Sequence, residues 1–136
     1  MKGNRSEIRR ILAEELAAHR EVVFAYVFGS FLEDRQFRDI DLGVWFLVKQ
    51  EGDALRDLAD VLRRTLERKV GMEIDVVPLN TVSDALIYHA SRGELVVDRD
   101  GDMRETVITA AWKRYWDFAF KRDAYLRDVA ETAPTR

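Results

Sequence analysis

Seven consecutive residues, Val22-Val23-Phe24-Ala25-Tyr26-Val27-Phe28, are apolar, mostly β-branched or aromatic, and stop at Gly29. A run of this length and composition predicts a β-strand, and the lack of alternating polar positions means both faces must be covered. A chain built around such a strand needs elements on either side of it, which excludes a plain helical bundle or a sheet with one wet face. The covering elements are legible around it. Ile8, Ile11, Leu12 and Leu16 recur at helical spacing upstream, with Asn4 and Glu7 placed as a capping pair.

Downstream, Asp39 to Val48 predicts a second strand, whose even positions Ile40, Leu42, Val44, Phe46 and Val48 are apolar and whose odd positions begin with two carboxylates. Gly52 and Asp53 open a helix with Leu55, Leu58, Leu62, Leu66 and Val70 on one side, closed by Gly71. Glu73 to Leu79 predicts a third strand, ended by Pro78 and Asn80, and a helix follows from about Thr81 to Arg92 with Gly93 as its C′ residue. Glu94 to Asp98 predicts a short fourth strand before the turn-like Asp100-Gly101, and no breaker interrupts a helix from about 102 to 131. The expected class is therefore α/β (α+β): a small mixed sheet of three to four strands, flanking helices and a long C-terminal helix, in one domain over residues 1–136.

Composition narrows the function. With 47% hydrophobic residues the chain can bury a core, and with no cysteine it has neither a disulfide framework nor thiol chemistry, in keeping with a reducing cytoplasm. A net charge of −3 argues against direct nucleic-acid binding or an anionic membrane surface. The apolar runs fall far short of the ~20 residues that cross a bilayer. Met1-Lys2-Gly3-Asn4-Arg5 leads into no apolar stretch, so no signal peptide is expected.

Chemistry is suggested by three acidic residues. Asp39 and Asp41, two apart on a strand, point to one face, and Asp75 interrupts the otherwise apolar Ile74-Asp75-Val76-Val77. If the two strands are neighbours, three carboxylates meet and raise one another's pKa. Hard divalent cations relieve that repulsion, and paired Mg²⁺ ions are a common apparatus for nucleotidyl displacement. An Asp-x-Asp pair is also met as the solvated lip of a sheet. Upstream, however, Phe28-Gly29-Ser30 ends the buried strand and opens a short helix, where glycine permits close backbone approach and free amides favour an anion. Ser30 and Glu33 have in addition the spacing of a capping box.

Strand, Gly29-Ser30, short helix, Asp39-Ile40-Asp41-Leu42 and then Ile74-Asp75-Val76-Val77 together resemble the polymerase-beta-like nucleotidyltransferase superfamily. Within it the chain looks like the minimal nucleotidyltransferases of the MntA antitoxin type, partners of HepT toxins with a HEPN domain. Ser91 to Asp100 and the stretch from Tyr115 to Leu126 extend the likeness over nearly the whole chain. The resemblance implies a polymerase-beta-like fold and an antitoxin of a type VII toxin–antitoxin pair, transferring AMP from ATP to a tyrosine of a HEPN-type ribonuclease toxin. It implies two Mg²⁺ ions held by Asp39, Asp41 and Asp75, which also serve as the catalytic residues, and a triphosphate bound at Gly29 and Ser30. Only eight residues separate Ser30 from Asp39, and the usual basic, glycine-containing loop is replaced by Phe31-Leu32-Glu33-Asp34-Arg35. Arg38 stands where a small residue is frequent, and Arg35 and Arg38 are the candidate substitutes for that loop. Two other readings remain open: an antitoxin that neutralises by binding alone, and a transferase acting on a small molecule.

His19 and His89 have no acidic companions at ligand spacing, and Trp45, on the carboxylate face, reads as a packing residue or a wall of the nucleotide site. On the last helix, Ile108, Trp112, Trp116 and Phe120 form one apolar stripe and Ala111, Tyr115, Phe118 and Tyr125 another. Together they cover far more than the ~100° that packing on one side requires. Either one stripe anchors the helix and the other meets the toxin or a second copy of the chain, or the helix is sunk deeper in the chain's own core.

Overall fold

The computed structural model describes residues 4–33, 37–47 and 53–132. In chain order the elements are α1 (Arg5–Ala18), β1 (Val22–Phe28), α2 (Ser30–Glu33), β2 (Asp39–Phe46), α3 (Asp53–Val70), β3 (Glu73–Pro78), a 3-10 turn (Leu79–Thr81), α4 (Asp84–Ser91), β4 (Glu94–Asp98) and α5 (Gly101–Thr132). The sheet has the order β3-β2-β1-β4, with β1 antiparallel to β2 and β4, and β2 parallel to β3. This is the mixed four-stranded sheet the sequence predicts.

All seven residues of β1 are buried. On one face of the sheet, Ile8, Leu12 and Leu16 of α1 and Leu55, Leu62, Leu66 and Val70 of α3 close over the even residues of β2. On the other face, Phe24, Tyr26 and Phe28 meet Leu79, Ile87 and Ala90 beneath α4, and Ala111 of α5. Truncating a fully buried ring such as Phe24 or Phe46 costs about 3–5 kcal/mol, a large part of a domain's stability.

Local chemistry explains the boundaries. The Asn4 side chain accepts the Glu7 amide at 2.8 Å and starts α1. Gly71, at φ +78°, ends α3 in the left-handed conformation that glycine tolerates. Helix α4 is shorter than expected, because Asn80 leaves the helical path to pair with β2. Its side chain accepts from the Phe46 amide and donates to the Phe46 carbonyl, each at 2.9 Å. Ser83 then caps α4 through the Leu86 amide. Gly93 is not a left-handed C′ residue; it is required by space, since a Cβ there would overlap the Val27 carbonyl oxygen.

Helix α5 divides along its length rather than around its girth. Met103, Val107, Ile108 and Ala111 pack on the second core, while Trp112 meets the Tyr88 ring at 4.6 Å and its indole donates to the Ser91 hydroxyl at 2.7 Å. Tyr88 of α4 stacks on Tyr115 with ring centroids 4.4 Å apart, and Arg114 clamps Asp84 with two hydrogen bonds. Beyond that root, Trp116, Phe118, Phe120, Tyr125, Leu126 and Val129 are all exposed. The expected anchoring stripe is thus only half realised, because Phe118 and Tyr125 face solvent. Among the described residues no helix is long and apolar enough to cross a membrane.

Candidate active site

The strand registers carry the acidic residues into one row. Phe28 stands opposite Asp41 across β1 and β2, and Asp41 stands opposite Asp75 across β2 and β3. Because Ile40, Leu42, Ile74 and Val76 are committed to the α1–α3 core, alternation turns Asp39, Asp41 and Asp75 to the other face, at its margin. Asp39 and Asp75 are exposed, whereas Asp41 is half-buried. Its carboxyl holds its proton above the ordinary range, first through burial and then through repulsion from Asp39 and Asp75, with His89 acting in the opposite sense. The cluster that the sequence predicts is therefore felt electrostatically at its middle member.

Gly29 covers this carboxylate. It has φ +81°, and a Cβ at that position would overlap Asp41 Oδ2, so both its conformation and its lack of a side chain are used. The Gly29 carbonyl accepts the Leu32 amide at 3.1 Å and closes the single turn of α2. Ser30 opens that turn, half-buried, and among the described residues no capping hydrogen bond joins its hydroxyl to the Glu33 amide. The approach to β2 is pinned by Arg5, which donates to the Phe31 carbonyl at 2.8 Å and lies over the Phe37 ring at 4.7 Å. Arg38 is exposed next to Asp39, and Arg35 lies outside the described residues. Trp45 stacks on Phe24 with planes 4° apart, which makes it a packing residue.

The donor set suits a hard cation. Among the described residues no Lys, Arg or His side chain forms an ion pair with Asp39, Asp41 or Asp75, whereas Asp60, Asp84 and Asp98 each pair with arginine. The site carboxylates therefore repel one another with no directly paired cation, His89 opposing this only at a distance from Asp41, which is the condition an oxygen-liganded divalent ion relieves. As they stand they are not drawn together to ligand distances, and no group of three such side chains among the described residues is. His19, by contrast, does have acidic neighbours, Glu15 and Glu21, at 3.3 Å each, but Lys69 already neutralises Glu15 at 2.8 Å.

Two groups at this margin escape a linear reading. His89, in the last turn of α4, sets its ring edge-on to Phe28 at 5.8 Å, and Arg92 follows it. With Phe28, Gly29, Leu32, Glu33 and Gly93 they line a cavity of about 140 Å³. Only the packing of α4 on β1 brings them there. A wider groove of about 600 Å³ runs between α3 and β3 and reaches Asp75 from the far side.

Residues 10–102 match the model of the family described as polymerase beta, nucleotidyltransferase. The chain belongs to the polymerase beta nucleotidyltransferase family. Among solved structures, this family member is similar to a complex of a tri-AMPylated HEPN toxin from Shewanella oneidensis with MNT antitoxin. That match has 18% identity and a TM-score of 0.67, and covers 93% of this chain and 99% of that one. It is also similar to a toxin–antitoxin MntA–HepT complex, at 17% identity and a TM-score of 0.66, covering 92% and 98% of the two chains. A toxin–antitoxin structure with AMP-PNP has 21% identity and a TM-score of 0.65, over 94% of this chain and 99% of that one. Comparison with curated protein sequences gives no match. The polymerase-beta-like fold expected from the Gly-Ser and Asp-x-Asp pattern is the fold of this nucleotidyltransferase.

Proposed function

We propose that this nucleotidyltransferase is the antitoxin of a toxin–antitoxin pair and transfers AMP from ATP to a tyrosine hydroxyl of a HEPN-type toxin. The observation that carries the reading is the row of Asp41 and Asp75 with Asp39 beside it and Gly29 closed over it. The solved structures sharing the fold support the choice of partner and of AMP as the transferred group, since one contains an AMPylated HEPN toxin and another AMP-PNP.

Asp39, Asp41 and Asp75 would hold Mg²⁺, which when bound offsets triphosphate charge and makes an acceptor hydroxyl more acidic. The acceptor oxygen forms a bond to the α-phosphorus of ATP while the bond from that phosphorus to the bridging oxygen breaks, and pyrophosphate leaves with the electron pair. Asp75, open to solvent on the edge strand, is the group that accepts the hydroxyl proton. Gly29 and Ser30 lie at the opposite end of the row, where the leaving phosphates belong in an in-line displacement.

The test is incubation of the protein with labelled ATP, Mg²⁺ and a HEPN-type toxin. Label is expected on a toxin tyrosine, with Asp39→Asn and Asp41→Asn abolishing transfer while circular dichroism stays unchanged. Binding of the toxin with no label from any common nucleoside triphosphate would favour neutralisation by contact alone, a reading that the exposed aromatic residues of α5 support.

A further inference from the structure

We propose that Arg92, seconded by His89, is the cationic group that binds the terminal phosphates of the nucleoside triphosphate. It would act from the end of α4, in place of the basic loop that is missing after Gly29-Ser30. The inference rests on the nucleotidyltransferase reading and adds the residues that grip the leaving group.

Position is the first argument. The cavity lined by Gly29, His89 and Arg92 adjoins the carboxylate row at its β1 end, the side away from Asp75. At about 140 Å³ it has the volume of roughly five waters at ~30 Å³ each. That space suits one or two phosphoryl groups and is too small for a nucleoside.

Charge is the second. The Arg92 guanidinium lies over the Tyr88 ring at 5.6 Å and makes no ion pair among the described residues. Its neighbours in the fold are engaged: Arg9 with Glu94, Arg104 with Asp98, Arg114 with Asp84, and Arg99 with the carbonyls of Ala17 and Val22. A guanidinium steadied on an aromatic face, with its N–H groups in no ion pair, is prepared for a phosphate. Placement is the third. Gly93 allows the α4–β4 turn to close against the Val27 carbonyl, and Arg92 immediately before it lines the same cavity as Gly29. Glu33, on the α2 wall, is the one acidic side chain lining the cavity among the described residues and opposes an anion there.

Titration calorimetry with Mg²⁺ and a non-hydrolysable ATP analogue, with AMP as the comparison ligand, tests the assignment. Arg92→Ala should weaken the triphosphate analogue by about tenfold or more, the scale of a lost hydrogen bond to a charged group, and leave AMP unchanged. His89→Ala should give a smaller loss of the same selectivity. Glu33→Gln, made on the other wall, should tighten the analogue several-fold and not AMP. Unchanged analogue binding in both Arg92→Ala and Glu33→Gln, or equal losses for the analogue and AMP, overturns the assignment while leaving the enzyme reading intact. A wild-type protein that binds neither the analogue nor inorganic tripolyphosphate overturns the enzyme reading itself.

Discussion

At the scale of single residues, two glycines separate conformational strain from steric need. Gly71 and Gly29 have nearly the same φ, +78° and +81°, but a Cβ on Gly71 meets nothing within 4 Å, whereas one on Gly29 meets the Asp41 carboxylate. Gly71→Ala should therefore cost about 1–2 kcal/mol in chemical denaturation and leave AMP transfer unchanged. Gly29→Ala should cost more and lose transfer by two orders of magnitude or more, about what a displaced reacting group costs. Equal behaviour of the two variants would remove Gly29 from the site. Asp41 supplies a second measurement. Its folded carboxyl titrates above the unfolded one, so its stabilising contribution is full below the unfolded value of about 4 and is lost as pH rises through the folded value. In EDTA at pH 7, Asp41→Asn should thus melt higher than wild type, and the gap should narrow as pH falls below about 4. A gap independent of pH would show that Asp41 is not held against its neighbours. Asp39, Asp41 and Asp75 were legible in the sequence because strand alternation leaves a carboxylate conspicuous among Ile and Val. His89 and Arg92 were not, because no local pattern marks a helix end that reaches the site only through tertiary packing.

At the scale of elements, the long apolar run and the helical spacings specified β1, α1 and α3 almost unaided, since each buries a continuous face. The start of α4 was hidden by a long-range bond, Asn80 to Phe46, that periodicity cannot register. In sequence the apolar residues of α5 form two stripes around its circumference, whereas in the fold the large packed side chains precede the large exposed ones along the axis, with only the small Ala119 buried among the latter. That split yields a contrast between two tryptophans. Trp112 is part of the α4–α5 junction, so Trp112→Ala should destabilise the fold by about 2–3 kcal/mol, below the 3–5 kcal/mol of a fully buried ring. Trp116 is 54% exposed, so Trp116→Ala should leave the fold intact and weaken toxin binding or self-association by roughly thirtyfold, the loss expected for a hot-spot ring. Denaturation and analytical ultracentrifugation separate the two. If Trp116→Ala unfolds the chain and any folded remainder associates normally, the outer half of α5 is not an interface.

At the scale of the whole molecule, the family match ends at residue 102, just as α5 begins. The catalytic apparatus and the projecting helix are therefore separate layers of one small protein, and they meet at α4. A helix of 32 residues is about 48 Å long, and it is held mainly by α4, with Ala119 its last buried residue among those described. Mechanically it is a lever with its fulcrum at α4. Of the residues that hold the root of the lever, Tyr88 directly precedes His89 and Ser91 directly precedes Arg92, so a load on the outboard rings is delivered one residue from the phosphate cavity. Whatever grips the handle also has purchase on the grip that the protein keeps on its leaving group.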